Sequence, residues 1–223
     1  MEEKNKSIQS GILEIPPIAS LLKQSKNLEK RLAAIYKWVR DIPFEVRLDT
    51  EGHYKNLAYI KANKRGSCSQ KHYFLGTIYE DLGVSVEYLT YPFYWHELPV
   101  AFPCSLKKLA KRLPLTYHLA IRICIEEKRF LLDATWDSPL EKAGFPINEM
   151  GSELTNTKIA VVPAGGCIIH ANISEREKFI KTINASRGEK MSQEEIKFYI
   201  ALNIWLEHIR KTYRVNKFTR LFS

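Results

Sequence analysis

The chain has 223 residues, 45% hydrophobic and 26% charged, which suits a globular protein with one large core or one core plus a small appendage. No apolar run approaches the ~20 residues of a membrane span. The N-terminal Met1-Glu2-Glu3-Lys4 lacks the apolar stretch of a signal peptide. A net charge of +9 raises nucleic acid as a partner, but Lys and Arg are scattered apart from residues 107–112 and 210–220. With no zinc-finger spacing or interleaved aromatic motif, the pattern argues against nucleic acid as the main partner. It leaves room for anionic substrates or a membrane surface.

Pro16 and Pro17 are expected to break any helix in the first 24 residues. Leu28, Leu32, Ile35 and Val39 recur at helical spacing and Pro43 ends the run, predicting a helix over 28–40. Residues 41–56 read as irregular and 56–62 as a short helix. Gly66-Ser67-Cys68 follows, and Ser67 with Gln70 forms a Ser-x-x-Gln capping box. A helix is therefore expected from Cys68 to Leu82, with Gly83 beyond its end. Cys68 takes the first helical position, among unpaired N–H groups and the positive end of the dipole. That setting favours thiolate and makes a nucleophile. Leu75 lies about two turns on, so Cys68 faces the body of the protein.

Residues 84–91, 117–125, 129–135 and 157–162 read as strands. The aromatic stretch over 92–104 can wall a pocket, and residues 107–112 read as the solvated face of a short helix. Ser174 with Glu177, and Ser192 with Glu195, are candidate capping boxes for two further helices. The last of these carries Tyr199, Leu202, Trp205 and Leu206, too apolar to stand alone. The expectation is an α+β fold in a single domain over 1–223, with a core at about 28–165 and a helical extension at about 174–215.

His118 and Asp133 lie on neighbouring strand candidates. A two-residue loop at Glu126-Glu127 pairs Asp133 with Ala120, and a four-residue loop pairs it with Arg122. Either puts His118 and Asp133 on one face, and the tighter loop makes them diagonal neighbours. Thiolate, imidazole and carboxylate together suggest covalent acyl transfer. The other three cysteines, Cys104, Cys124 and Cys167, read as buried inert side chains. Cys167 has a local pattern with His170 but no carboxylate to follow. Four unclustered cysteines point to a reducing cytoplasm. Cys68 and His72, four apart, have no second pair at ligand spacing, so no metal is expected, and no cofactor either.

From 28 to 136 these segments resemble the transglutaminase-like branch of the papain-like cysteine enzymes. The matching pieces are Tyr36-Lys37-Trp38-Val39, Gly66-Ser67-Cys68 opening a helix closed by Asp81-Leu82-Gly83, His118 on a strand, and Asp133-Ala134-Thr135-Trp136. The resemblance implies a central helix bearing the cysteine, packed on an antiparallel sheet between flanking terminal helices. It also implies Cys68 as nucleophile, His118 as proton carrier and Asp133 as its orienting group. Nothing here supplies the further β domains and calcium sites of animal transglutaminases, so cross-linking does not follow. Those enzymes use a tryptophan upstream of the cysteine at the oxyanion, and Trp38 lies too early for that. Tyr54, Asn56 and Gln70 are candidates instead. Trp136 is expected to pack beside the site, and Trp95 either belongs to the substrate cleft or covers the sheet.

The function expected is cysteine-dependent acyl transfer from a peptide or protein amide, leaning to hydrolysis. The alternatives are a coenzyme-A-dependent arylamine acetyltransferase, sharing the Cys-His-Asp order, and a peptide-binding module of the same fold without catalysis.

Overall fold

The computed structural model describes residues 11–48, 53–188 and 191–221, with side chains described for all of these except 53–56 and 214–221. Helices α1 (Pro16–Lys23), α2 (Leu28–Arg40), α3 (His53–Asn63) and α4 (Cys68–Asp81) precede strand β1 (Ser85–Phe93). Helix α5 (Cys104–Ala110), β2 (Thr116–Ile125), β3 (Lys128–Leu132), β4 (Ile168–His170), α6 (Ile173–Ser186) and α7 (Gln193–Leu221) follow. The prolines expected to break an early helix open one instead: Pro16 starts α1, where a missing N–H costs nothing.

The sheet is antiparallel in the order β3-β2-β1-β4, so the architecture is α+β. Its hairpin has the register of the two-residue loop, with Ile125 opposite Lys128 and Ile121 opposite Leu132. Glu126 and Glu127 form that loop with φ of 46° and 68°, where Asn-Gly is the usual choice.

No strand forms over 157–162. The Thr157 N–H donates to the Leu131 carbonyl at 2.9 Å, and the Ala160 N–H donates to the Asp133 carboxylate at 2.7 Å. These amides serve the end of β3 and a side chain, so no ladder remains to be made. The sheet edge beside β1 is taken by β4. The start of α6 also differs from expectation. Asn172 accepts the Glu175 N–H at 3.0 Å and caps the helix ahead of Ser174. The Ser192–Glu195 box does form, with Ser192 N–H to Glu195 Oε2 at 2.8 Å and Glu195 N–H to Ser192 Oγ at 3.2 Å.

Two apolar clusters make the core. One joins α2 and α4 to the odd-numbered face of β2, through Tyr36, Phe74, Leu119 and Ile121. The other gathers Phe44, Trp95, Trp136 and Phe145 under Phe198, Leu202 and Leu206 of α7. The helix bearing Cys68 fills the first cluster, yet Cys68 itself touches the second. It therefore sits where the two meet. Cys104, Cys124 and Cys167 are exposed rather than buried. Cys104 starts a short surface helix, Cys124 lies near the hairpin tip, and Cys167 precedes the edge strand.

A buried ion pair fixes α7. Arg210 donates Nε and Nη2 to the two Asp137 carboxylate oxygens, each at 2.8 Å, and Nη2 also donates to the Phe44 carbonyl at 2.9 Å. The Phe44 N–H closes the network on Asp137 at 2.9 Å. Arg210→Ala, by stranding the buried Asp137 charge, should cost about 3–5 kcal/mol in urea unfolding. Glu127→Gly, by relieving a left-handed backbone at the hairpin, should instead stabilise the fold by about 0.5–1 kcal/mol, read as a higher melting temperature.

Candidate active site

Cys68 is presented by the first turn of α4. The Ser67 N–H donates to Gln70 Oε1 at 2.8 Å, and the reciprocal half of the capping box is also formed. The preceding loop is tied down on both sides, with Gly66 N–H to the Pro43 carbonyl and Glu45 N–H to the Gly66 carbonyl, each at 3.1 Å.

His118 and Asp133 meet as the hairpin geometry requires. His118 Nε2 lies 2.7 Å from Asp133 Oδ2, and both side chains are buried. The other ring nitrogen is left for Cys68, whose thiol hydrogen-bonds His118. The backbone helps too. In a two-residue hairpin Ile125, Ile123 and Ile121 turn their amides toward β3, and Leu119 is next in that series. There β3 has ended, and the Leu119 N–H hydrogen-bonds the Cys68 sulfur instead.

Burial pushes the Cys68 thiol up, but hydrogen bonding to His118, the His118 charge, the Leu119 N–H and the Arg176 charge together bring it below the ordinary thiol value. Burial opposes charge on His118 as well, yet the Asp133 carboxylate and Cys68 raise the ring to about 10. The two shifts run the same way, favouring the proton on the ring over the sulfur and so the thiolate–imidazolium form of the pair.

Asp133 is held ionised by its surroundings. Burial works against its charge, but His118, His72 and Thr135 carry its carboxyl well below the usual carboxylate range. Oδ2 accepts from His118 and from the Ala160 N–H, while Oδ1 accepts from Thr135 Oγ1 at 2.6 Å and the Thr135 N–H at 3.2 Å. Its backbone is clamped equally. The Tyr36 hydroxyl donates to the Asp133 carbonyl at 2.7 Å, and the Asp133 N–H donates to Thr157 Oγ1 at 2.7 Å.

His72, which sequence reasoning weighed only as a metal ligand, fastens the start of α4 to the Asp133 end of β3. Its Nε2 accepts the Ala134 N–H at 2.8 Å, so Nδ1 carries the proton and donates to the Cys68 carbonyl, also at 2.8 Å. Both nitrogens are thereby engaged by backbone. The signal was its position four residues after Cys68, on the same helix face. Next to it, Lys71 is fully buried and donates to the Arg40 and Thr135 carbonyls at 2.8 and 2.7 Å. Burial lowers its ammonium to about 7, against the pull of Asp137.

The remaining candidates fall elsewhere. Gln70 is buried with its oxygen on the helix cap. Trp136 packs between Phe44 and Phe145 and donates its indole N–H to the Ala160 carbonyl at 3.0 Å. Trp95 is buried against Phe93, Phe198 and Tyr199, covering the end of the sheet. Tyr54 and Asn56 start α3, but their side chains lie outside the described residues. Among the described residues no three His, Cys, Asp or Glu side chains converge to hold a metal ion, and no helix is long and apolar enough to cross a membrane.

No protein-family model matches this sequence, and no curated protein matches it. Among solved structures, a Cytophaga hutchinsonii protein provisionally described as a cysteine protease aligns with a TM-score of 0.41 and 15% identity. The alignment covers 75% of this chain and 47% of that one, so the chain spans about half the length of that structure.

The His72 ring supplies a pH test. Burial lowers it to about 4, whereas an unfolded histidine titrates near 6.5. The unfolded chain therefore takes up a proton that the folded one refuses. The stability contributed by neutral His72, about 3 kcal/mol in full, is present above pH 6.5 and is lost as pH falls to 4. Urea unfolding at pH 7.0 and 4.5 should show this loss, and His72→Asn should flatten it.

Proposed function

We propose that the protein is a cysteine-dependent acyl-transfer enzyme of transglutaminase-like type, acting on a peptide or protein amide and passing the acyl group to water. One observation carries the reading: a buried imidazole bridges a thiol displaced toward thiolate and a carboxylate held ionised. The order of cysteine helix, histidine strand and aspartate strand end supports it. The same reading takes 28–165 as the catalytic core, 174–215 as its helical extension and the cytoplasm as its compartment.

The Cys68 thiolate attacks the carbonyl carbon, forming a C–S bond and an oxyanion. The Cys68 N–H, in the first turn of α4 where no intrahelical acceptor exists, is one donor to that oxygen. The C–N bond breaks as imidazolium His118 gives its proton to the departing amine. Neutral His118 then takes a proton from water as the hydroxyl oxygen attacks the thioester. The acid leaves, and thiolate and imidazolium are restored. Asp133 keeps the ring oriented and its charge compensated throughout.

Wild type and Cys68→Ala should be compared on peptide, glutamine-amide and acetyl-CoA acyl donors, with intact mass reporting a trapped acyl-enzyme. The expected result is an acyl adduct on wild type alone with an amide donor, and at least a 10³-fold loss of kcat in Cys68→Ala and His118→Ala. Acylation by acetyl-CoA alone, or no adduct with any donor, would overturn the assignment. The pH profile of kcat/KM should have its acid limb below the ordinary thiol range and its alkaline limb near pH 10, where His118 loses the proton it must donate.

A further inference from the structure

Beside Cys68 lies a cavity of about 520 Å³ walled by Ser69 of α4, Thr116 of β2, Arg176 in the first turn of α6, Arg187 just past its last, and Glu195 and Tyr199 of α7. Arg176 and Tyr199 are both close enough to Cys68 for their charges to act on one another. The cavity therefore adjoins the nucleophile.

Arg176 is only 4% exposed, yet among the described residues no carboxylate lies within ion-pair distance of it. Its Nε donates to Thr90 Oγ1 at 3.3 Å, and Nη1 reaches the Tyr73 hydroxyl at 3.5 Å, the outer limit for such a bond. Among the described residues Nη2 makes no hydrogen bond, and Arg176 lines the cavity. A buried guanidinium held by two long neutral contacts is costly unless an anion completes it. The other two fully buried arginines among the described residues behave differently: Arg40 and Arg210 each have carboxylate partners.

We propose that this cavity is an acyl-donor subsite for a carboxylate, received by Arg176, so that the Cys68 centre selects substrates with an acidic group close to the scissile carbonyl. The proposal rests on the reading of Cys68 as the nucleophile. A planar carboxylate matches the paired N–H donors of one guanidinium. The second arginine on the wall, Arg187, is already turned to the Leu115 carbonyl and the Tyr117 ring, and Glu195 is held by the Ser192 N–H. Two arginines and one glutamate leave the wall with a single net positive charge, a poor match for a phosphate dianion and a fair one for a single carboxylate.

Iodoacetate and iodoacetamide, which differ in charge but react alike with thiolate, test this by peptide mapping. The exposed Cys104, Cys124 and Cys167 give the intrinsic preference between reagents within the same molecule. The expected result is an iodoacetate-to-iodoacetamide rate ratio at Cys68 about ten-fold or more above that of the exposed cysteines. Iodoacetate modification should saturate, and glutarate should protect Cys68 alone. In Arg176→Gln the ratio should fall to that of the exposed cysteines, and Arg176→Lys, keeping charge without the fork, should fall between. Glutarate protection of wild type needs no variant and holds the test open if Arg176→Gln does not fold. A high ratio that survives Arg176→Gln and resists glutarate would assign the preference to the His118 charge and overturn the subsite, leaving the nucleophile intact. Slow modification of Cys68 by both reagents would overturn the nucleophile and the subsite together.

Discussion

A buried carboxylate must be ionised to be useful here, and Asp133 is kept so by four hydrogen bonds that arrive from three separate segments. Each donor constrains a different part of the fold. His118 fixes the hairpin face, Thr135 fixes the chain leaving β3, and Ala160 pins the segment that would otherwise pair as a strand. An unpaired charge in such a position would be prohibitive, so the surrounding architecture is dictated by its satisfaction as much as by apolar packing. The same carboxylate then raises the histidine and so draws the proton from the thiol.

Cys68 is positioned by opposed demands. Its helix is anchored in one apolar cluster while its sulfur meets the other. His72 ties the two together by joining the Cys68 carbonyl to the Ala134 amide, one residue from Asp133. Helix start and strand end are thus held at fixed separation by a neutral ring that titrates far from physiological pH. Placing a second histidine so near His118 is tolerated only because burial keeps it uncharged.

Much of this was legible in the chain. The capping residues located the start of α4, apolar spacing located α2, and strand alternation gave the hairpin face, because each depends on neighbours within a few residues. Long-range competition was less legible. Residues 157–162 have strand composition, but their amides are claimed by Leu131 and Asp133, which no local pattern reveals. Asn172 displaced Ser174 as a cap because both are competent and only packing chooses. The exposure of Cys104, Cys124 and Cys167 follows from where their elements end up on the surface. Nothing local marks Arg176, since its burial without a carboxylate partner among the described residues is a property of the assembled core.

The walls of the cavity come from late in the chain. Cys68, His118 and Asp133 all precede residue 134, whereas Arg176, Glu195 and Tyr199 belong to α6 and α7, and α7 is locked down through Arg210. As the polypeptide emerges from the ribosome, the segments that carry Cys68, His118 and Asp133 are therefore translated well before α6 and α7, which wall the cavity. A single cut ahead of α6 would leave Cys68, His118 and Asp133 on one fragment and carry away Arg176, the Arg210 anchor and the apolar cover of the second cluster, so the two ends of the chain are joined at this place by non-covalent contacts alone.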